Sequence, residues 1–256
     1  MKFTFLNIIT SIFVLFFFTS CVPRKQIVYM SDLDSQKPIF STSFEPVLEP
    51  NDLLSIVVAS ENPELTLQFN LPQLQTVSSS SQQSSIKNYL IDHLGYIDFP
   101  VLGKVQLGGL TKSAANKLLV TKISEYFKNP VVNLNIVNYK VTMLGEVGKS
   151  GSIQVSSERI TLLEAISQAG DLTLYGKRDN ILIIREENGK KSYNRIDITN
   201  SDFLKSDFYY LKQNDLVYVE PNKTKVNGAK IGASTGLYLS ILSIVLTISF
   251  FIINKN

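Results

Sequence analysis

Hydrophobic and polar positions divide the chain into three regimes. Residues 6–18 form an almost unbroken apolar run behind one positive charge, Lys2. Residues 231–253 contain no charged residue. Between these ends the pattern switches several times between strand-like alternation and helix-like spacing. The first strand is predicted over residues 53–58, Leu-Leu-Ser-Ile-Val-Val, behind the turn residues Pro50, Asn51 and Asp52. Residues 61–87, with a Ser/Gln cluster at 78–85, are too polar and featureless for a core element and read as an exposed excursion. Short strands follow at 89–91, 96–99 and 104–107, punctuated by Gly95 and Gly103. Thr111 then caps a helix whose apolar stripe is Ala115, Leu118, Leu119, Ile123, Tyr126 and Phe127, ending at Lys128-Asn129-Pro130. A β-rich run at 131–137 closes this unit.

A second unit starts near residue 140. Strands are predicted at 141–147 and 153–155 around the turn Lys149-Ser150-Gly151. Thr161-Leu162-Leu163-Glu164 has the spacing of a capping box, so a helix opens there with Leu162, Ala165, Ile166 and Ala169 buried and Gly170 as its stop. Strands at 180–185 and 191–196 flank Asn188-Gly189, a hairpin signal. A last strand at 215–219 precedes Pro221. A helix on one side of a small mixed sheet is the expected result, an α+β unit.

The two ends carry targeting signals. Lys2 and the run at 6–18 have the order of a secretory signal, with Thr19 and Ser20 leading into Cys21, the one cysteine of the chain. This resembles a bacterial lipobox, in which the Cys thiol is acylated after cleavage; Phe18 stands where Leu is commonest. The alternative is an uncleaved anchor with an inert thiol. No acidic residue follows Cys21 in Val22-Pro23-Arg24-Lys25, which favours a periplasm-facing outer-membrane lipoprotein. Residues 22–45 then read as a tether. At the other end, residues 231–253 are long enough to cross a bilayer as a helix, flanked by Lys225, Lys230 and Lys255. Gly232, Gly236, Ser240, Ser243 and Thr247 fall on one side of that helix, opposite Leu237, Ile241, Ile244, Ile248 and Phe251. The small, hydroxylated stripe fits either close helix packing or the lining of a pore.

Composition narrows the chemistry. A formal charge of +3 in 256 residues gives no case for nucleic-acid binding. His93 is the single histidine, beside a glycine turn, and reads as structural or exposed. There is no His/Cys metal spacing, no glycine-rich phosphate loop and no nucleophile elbow, so no cofactor and no catalytic residue is expected. Glu186, Glu187 and Asp197 lie in or near the predicted hairpin; as a carboxylate pair for glycoside cleavage they are outweighed by their position on a solvated tip. Tyr209 and Tyr210 are adjacent and would point to opposite faces of a strand.

The order of these phrases resembles one family. Leu48-Glu49-Pro50-Asn51-Asp52-Leu53-Leu54-Ser55-Ile56 is similar to the opening of the polysaccharide export domain of Wza-type exporters, with Asn51 in place of the usual Gly. The likeness continues through residues 95–103 and 126–132. Gly145-Glu146-Val147, residues 161–172 and 213–219 resemble a soluble-ligand-binding β-grasp (SLBB) domain, again with Asn214 where Gly is usual. Together with these end signals, the resemblance divides the chain into a signal at 1–20, a tether at 21–45, an export domain at 46–139, one SLBB domain at 140–222 and a membrane helix within 223–256. It implies a homo-oligomeric ring that passes a capsular or exopolysaccharide cargo across the periplasm and outer membrane. Membrane lipid and an inner-membrane copolymerase or tyrosine kinase are the partners it implies. The rival reading is a membrane-tethered ligand- or protein-binding module with no conduit.

Overall fold

The computed structural model describes residues 27–33, 44–71, 88–187, 189–230 and 233–254. Cys21, the leader, the Ser/Gln cluster, Asn188 and Gly232 lie outside the described residues. Two hydrophobic cores organise the remainder, one per unit, and Ile136 packs against both.

In the first unit, β1 (Leu53–Ala59) turns Leu54, Ile56 and Val58 into the core. Asn51 leads into it at φ 72, a left-handed conformation that Asn and Gly tolerate and most residues resist. The same holds for Asn214, at φ 63. Both asparagines thus occupy positions where the family phrase has Gly for a backbone reason. A short helix α1 (Pro63–Thr66) and a 3-10 turn, Leu67–Phe69, follow. Phe69 is fully buried and meets Phe127 edge-on at 5.5 Å. The stretch expected to be a featureless excursion therefore supplies a core residue, which one Phe among polar neighbours did not announce.

Strand β2 (Tyr89–Leu90) pairs with β1, and β3 (Tyr96–Phe99) with β4 (Gly103–Gln106), each antiparallel. Helix α2 (Lys112–Ile123) begins at Thr111, whose hydroxyl accepts from Ala114 N at 3.3 Å. It buries Ala115, Leu119 and Ile123 completely; each Leu or Ile so buried contributes roughly 1.5–3 kcal/mol. The helix stops at Ile123 rather than at the expected 128–130. Ser124 donates back to Val120 O at 2.7 Å, and the chain turns before Phe127 reaches the core. β5 (Val131–Ile136) completes a three-stranded antiparallel sheet in the order β2-β1-β5.

The second unit is a mixed sheet. β6 (Lys140–Gly145) pairs antiparallel with β7 (Gly151–Gln154). β8 (Ile160–Thr161) leads into α3 (Leu162–Gln168), and the capping box is formed: Glu164 N donates to Thr161 Oγ1 at 3.1 Å, and Thr161 N to Glu164 Oε2 at 2.7 Å. Long strands β9 (Gly176–Glu187) and β10 (Lys190–Ile196) form the predicted hairpin. β11 (Tyr210–Leu211) pairs with β8, and β12 (Leu216–Pro221) enters the sheet centre. The order is β10-β9-β12-β6-β7, with β12 and β6 parallel. Gly145, at φ 89, lies so close to β12 that an added Cβ would stand 2.1 Å from Val219 O.

Two further departures appear. Residues 27–33, expected to be tether, dock on this unit. Met30 N donates to Ile198 O and Ser31 N to Thr199 O, both at 2.9 Å, and Ser201 N donates to Asp32 Oδ1 at 2.8 Å. Tyr209 and Tyr210 do not diverge: only Tyr210 is in a strand, and the rings meet edge-on at 4.9 Å.

After β12, α4 (Lys223–Lys230) leads to α5 (Ala233–Asn254). The uncharged C-terminal segment is therefore helical from Ala233 onward. Not every side chain in it is described, and among the described residues no helix is long and apolar enough to cross a membrane. The α+β class holds; a membrane crossing by α5 is not part of what the fold shows.

Candidate functional site

The units meet through Asn138, whose side chain bonds two backbone groups ahead of and within β1. Leu53 N donates to its Oδ1 at 2.9 Å, and its Nδ2 donates to Asn51 O at 3.0 Å. From the other side, Gln213 Nε2 donates to Asn138 O at 3.0 Å and Lys140 N to Gln213 Oε1 at 2.8 Å. Lys112 Nζ adds a bridge, donating to Asn135 Oδ1 at 3.0 Å and pairing with Glu158 of the second unit. Asp52 is buried at this joint and accepts from Glu49 N at 2.8 Å. Burial pushes its carboxyl up to about 6, against the opposing bonds from Glu49 N and the Gln213 side chain.

Beside the joint lies a cleft of about 820 Å³ between residues 44–49 and the loop 204–213. Its floor is Arg185, which donates to Asp215 from Nε at 3.0 Å and from Nη2 at 2.7 Å. The same guanidinium donates to Tyr210 O at 3.1 Å and sits 4.5 Å from the Phe208 ring centre. Phe44 stacks on Tyr210 at 4.9 Å, and Arg159 lies over the Tyr210 ring at 5.1 Å. The Tyr210 ring thus already has protein neighbours. The cleft also presents hydroxyls and charges, among them Ser192, Ser206, Asp207 and Lys205.

The carboxylates weighed for glycoside cleavage are not brought together. Glu187 pairs with Lys212 on the cleft wall, which lowers its pKa; Glu186 pairs with Lys191 at 3.6 Å; Asp197 accepts from Thr199 N at 2.8 Å. His93 is exposed. Among the described residues no group of three or more His, Cys, Asp or Glu could hold a metal ion.

Residues 41–137 match the family described as polysaccharide biosynthesis/export protein, and residues 139–219 match the SLBB domain. The chain carries a polysaccharide export domain followed by an SLBB domain. The boundary between the two matches falls at Asn138, the residue that joins the two cores. Two relatives are both named EPS I polysaccharide export outer membrane protein EpsA. That of Ralstonia solanacearum is 26% identical over 195 residues, covering 73% of this chain and 51% of the relative. That of Ralstonia nicotianae (strain ATCC BAA-1114 / GMI1000) is 28% identical over 141 residues, covering 52% and 37%. The chain thus spans about half or less of the length of the curated relatives it matches.

Seen as an export and SLBB pair, the chain places the predicted stripe on the helix that follows the SLBB domain. Ser240 Oγ donates to Gly236 O at 2.8 Å, Ser243 Oγ to Ser240 O at 2.8 Å and Thr247 Oγ1 to Ser243 O at 2.7 Å. Each hydroxyl proton stays within the helix, so the stripe shows acceptor oxygens outward. Among the described residues nothing beyond its own helix backbone lies within 4 Å of where a Cβ would stand at Gly236. Gly232 and Cys21, the other singled-out positions, lie outside the described residues. Sequence reasoning missed the joint at Asn138 and the buried Arg185–Asp215 pair. Only the Gln213-Asn214-Asp215 phrase pointed toward them.

Proposed function

We propose that this chain is a component of an envelope polysaccharide exporter, assembling as a homo-oligomeric ring that passes a capsular or exopolysaccharide across the periplasm and outer membrane. The observation that carries this is the order of export domain, SLBB domain and uncharged helix in one chain. The outer-membrane location named for the Ralstonia relatives agrees with it. No chemistry is asked of the protein; its work is to hold a path open. Acylation at Cys21 and entry of α5 into the bilayer anchor it, since several acyl chains plus a spanning helix hold effectively permanently. The stripe of Gly232, Gly236, Ser240, Ser243 and Thr247 packs against neighbouring copies or faces the lumen, and a closed ring does both. An inner-membrane copolymerase or tyrosine kinase supplies the cargo.

Deleting the gene tests the reading: surface polysaccharide disappears while its precursor is still made, and the intact gene restores it. Unaltered surface polysaccharide refutes it. Electron micrographs of the detergent-solubilised protein separate it from the rival binding module. A ring with a lumen is expected here, a monomer or dimer there.

A further inference from the structure

One loop of the SLBB domain is exposed, apolar and firmly built. Leu174 is 76% exposed, more than any other large apolar side chain described, and its neighbour Tyr175 is exposed as well. The backbone beneath them is fixed. Thr173 N donates to Glu146 O and Gly176 N to Thr173 O, both at 3.0 Å; Tyr175 N donates to Thr173 Oγ1 at 3.1 Å. Arg178, itself buried, donates to the carbonyls of Leu172, Thr173 and Gly176 at 3.1–3.4 Å. A slack loop would fold such side chains inward; this one holds them out.

The loop is also tied to the root of the C-terminal helices. Asn222 N donates to Tyr175 O at 2.7 Å, and Asn222 Nδ2 to Leu174 O at 3.4 Å. The same Asn222 opens α4 by accepting from Lys225 N at 3.0 Å. Lys225 Nζ lies 4.9 Å from the Tyr175 ring centre and 3.9 Å from Glu146, while Lys223 beside it is exposed. A leucine, a tyrosine and two lysines thus gather at the start of α4, the short helix that leads into the uncharged α5. Such a set suits the bilayer interface: Leu enters the acyl boundary, the Tyr ring sits at headgroup depth, and Lys reaches lipid phosphate. The docked N-terminal segment comes to the same place. Tyr29 bonds Asp171 and stacks on Arg178, 5.5 Å from its guanidinium. Cys21 is eight residues before Tyr29, within a reach of roughly 28 Å for extended chain.

We infer that the Leu174–Tyr175 loop, with Lys223 and Lys225, is a lipid-docking foot that rests the SLBB domain on the phosphate layer of the bilayer α5 enters. The inference builds on the anchoring proposed above but not on the export reading. It commits to a lipid surface rather than a protein partner because the loop is bonded directly to the root of α4, the lysine-bearing helix that leads into α5.

The chain has no tryptophan, so a single introduced Trp reports its own surroundings. The full-length protein is reconstituted in phosphatidylethanolamine/phosphatidylglycerol vesicles containing lipids brominated near the headgroup or deep in the acyl chain. Three variants are compared: Leu174→Trp, Phe251→Trp in α5 and Leu67→Trp, an exposed position of the export domain. Emission at 174 is expected to be blue-shifted and mostly lost to the shallow bromines. At 251 the deep bromines quench, and at 67 neither does. Quenching at 251 with red, unquenched emission at 174 overturns the foot and leaves helix anchoring intact. No quenching at 251 overturns the anchoring itself, and the foot with it. Equal quenching at 67 and 174 also overturns the foot, since the surface contact would then be indiscriminate.

Discussion

The Arg185–Asp215 pair gives the sharpest energetic test, because both side chains are withdrawn from water. Their side chains are 5% and 0% exposed. Asp215 takes two bonds from Arg185 Nε, one from Nη2 and one from Lys212 N at 2.8 Å. Arg185 also holds the cleft loop through the carbonyls of Asp207 and Tyr210. Arg185→Met leaves a buried carboxylate with the Lys212 amide as its remaining bond in the cluster; Asp215→Leu leaves a buried guanidinium with two carbonyls. Removing one partner of a buried pair costs about 3–5 kcal/mol, chiefly as the penalty of the charge left behind. At about 2–4 °C per kcal/mol for a chain of this size, each single variant loses roughly 10 °C in Tm. The double variant removes both charges and their desolvation cost together, so it should be no worse than the milder single variant. Thermal and urea unfolding of the detergent-solubilised protein, followed by circular dichroism, close the double-mutant cycle. A coupling of about 3 kcal/mol or more is expected. Single losses below about 1 kcal/mol that simply add would refute the view that unpaired burial, and not the pair's own attraction, dominates.

Asp52 titrates near 6 when folded, against about 3.9 when unfolded, so it favours folding most below pH 4 and that contribution fades as pH rises through 6. Asp52→Asn should flatten the stability profile between pH 4 and 6.5 by up to about 3 kcal/mol, read from urea midpoints; an unchanged slope counts against it. Asn214→Gly should be near neutral and Asn214→Ala should cost about 1 kcal/mol, because φ there is 63; equal costs would remove the backbone explanation. Gly145→Ala should fail to fold or lose several degrees in Tm, since Val219 O occupies the space; full stability would show the strands free to part. Thr161→Ala removes the hydroxyl that accepts from Glu164 N, while the backbone N–H at 161 can still donate to the Glu164 carboxylate; it should cost about 0.5–2 kcal/mol in the same unfolding assay, with Thr161→Ser restoring most of it.

Elements with a local physical cause were readable in advance. β1 announced itself by turn residues before a β-branched run, α3 by its capping box, and the β9–β10 hairpin by its two-residue turn. What failed depended on distant partners. Phe69 is core because Phe127 and the sheet surround it, and nothing in Leu67-Gln68-Phe69 signals that. Residues 27–33 look like linker because their bonds go to residues 171 and 198–201, far along the chain. A buried arginine such as Arg178 or Arg185 is invisible in sequence, since Arg is ordinarily a surface residue. The C-terminal stripe was readable as a stripe, but where its hydroxyl protons go was visible only in the helix itself.

Asn138 carries a mechanical consequence. With its amide gripping one sheet and its carbonyl gripped by the other, the link between the domains is less a hinge than a short keyed shaft. On the proposed lipid seating, a tilt of the SLBB half would be passed to the export half through those bonds. In an assembly of identical copies, the pitch of the far rim would then be set where the near end touches fat.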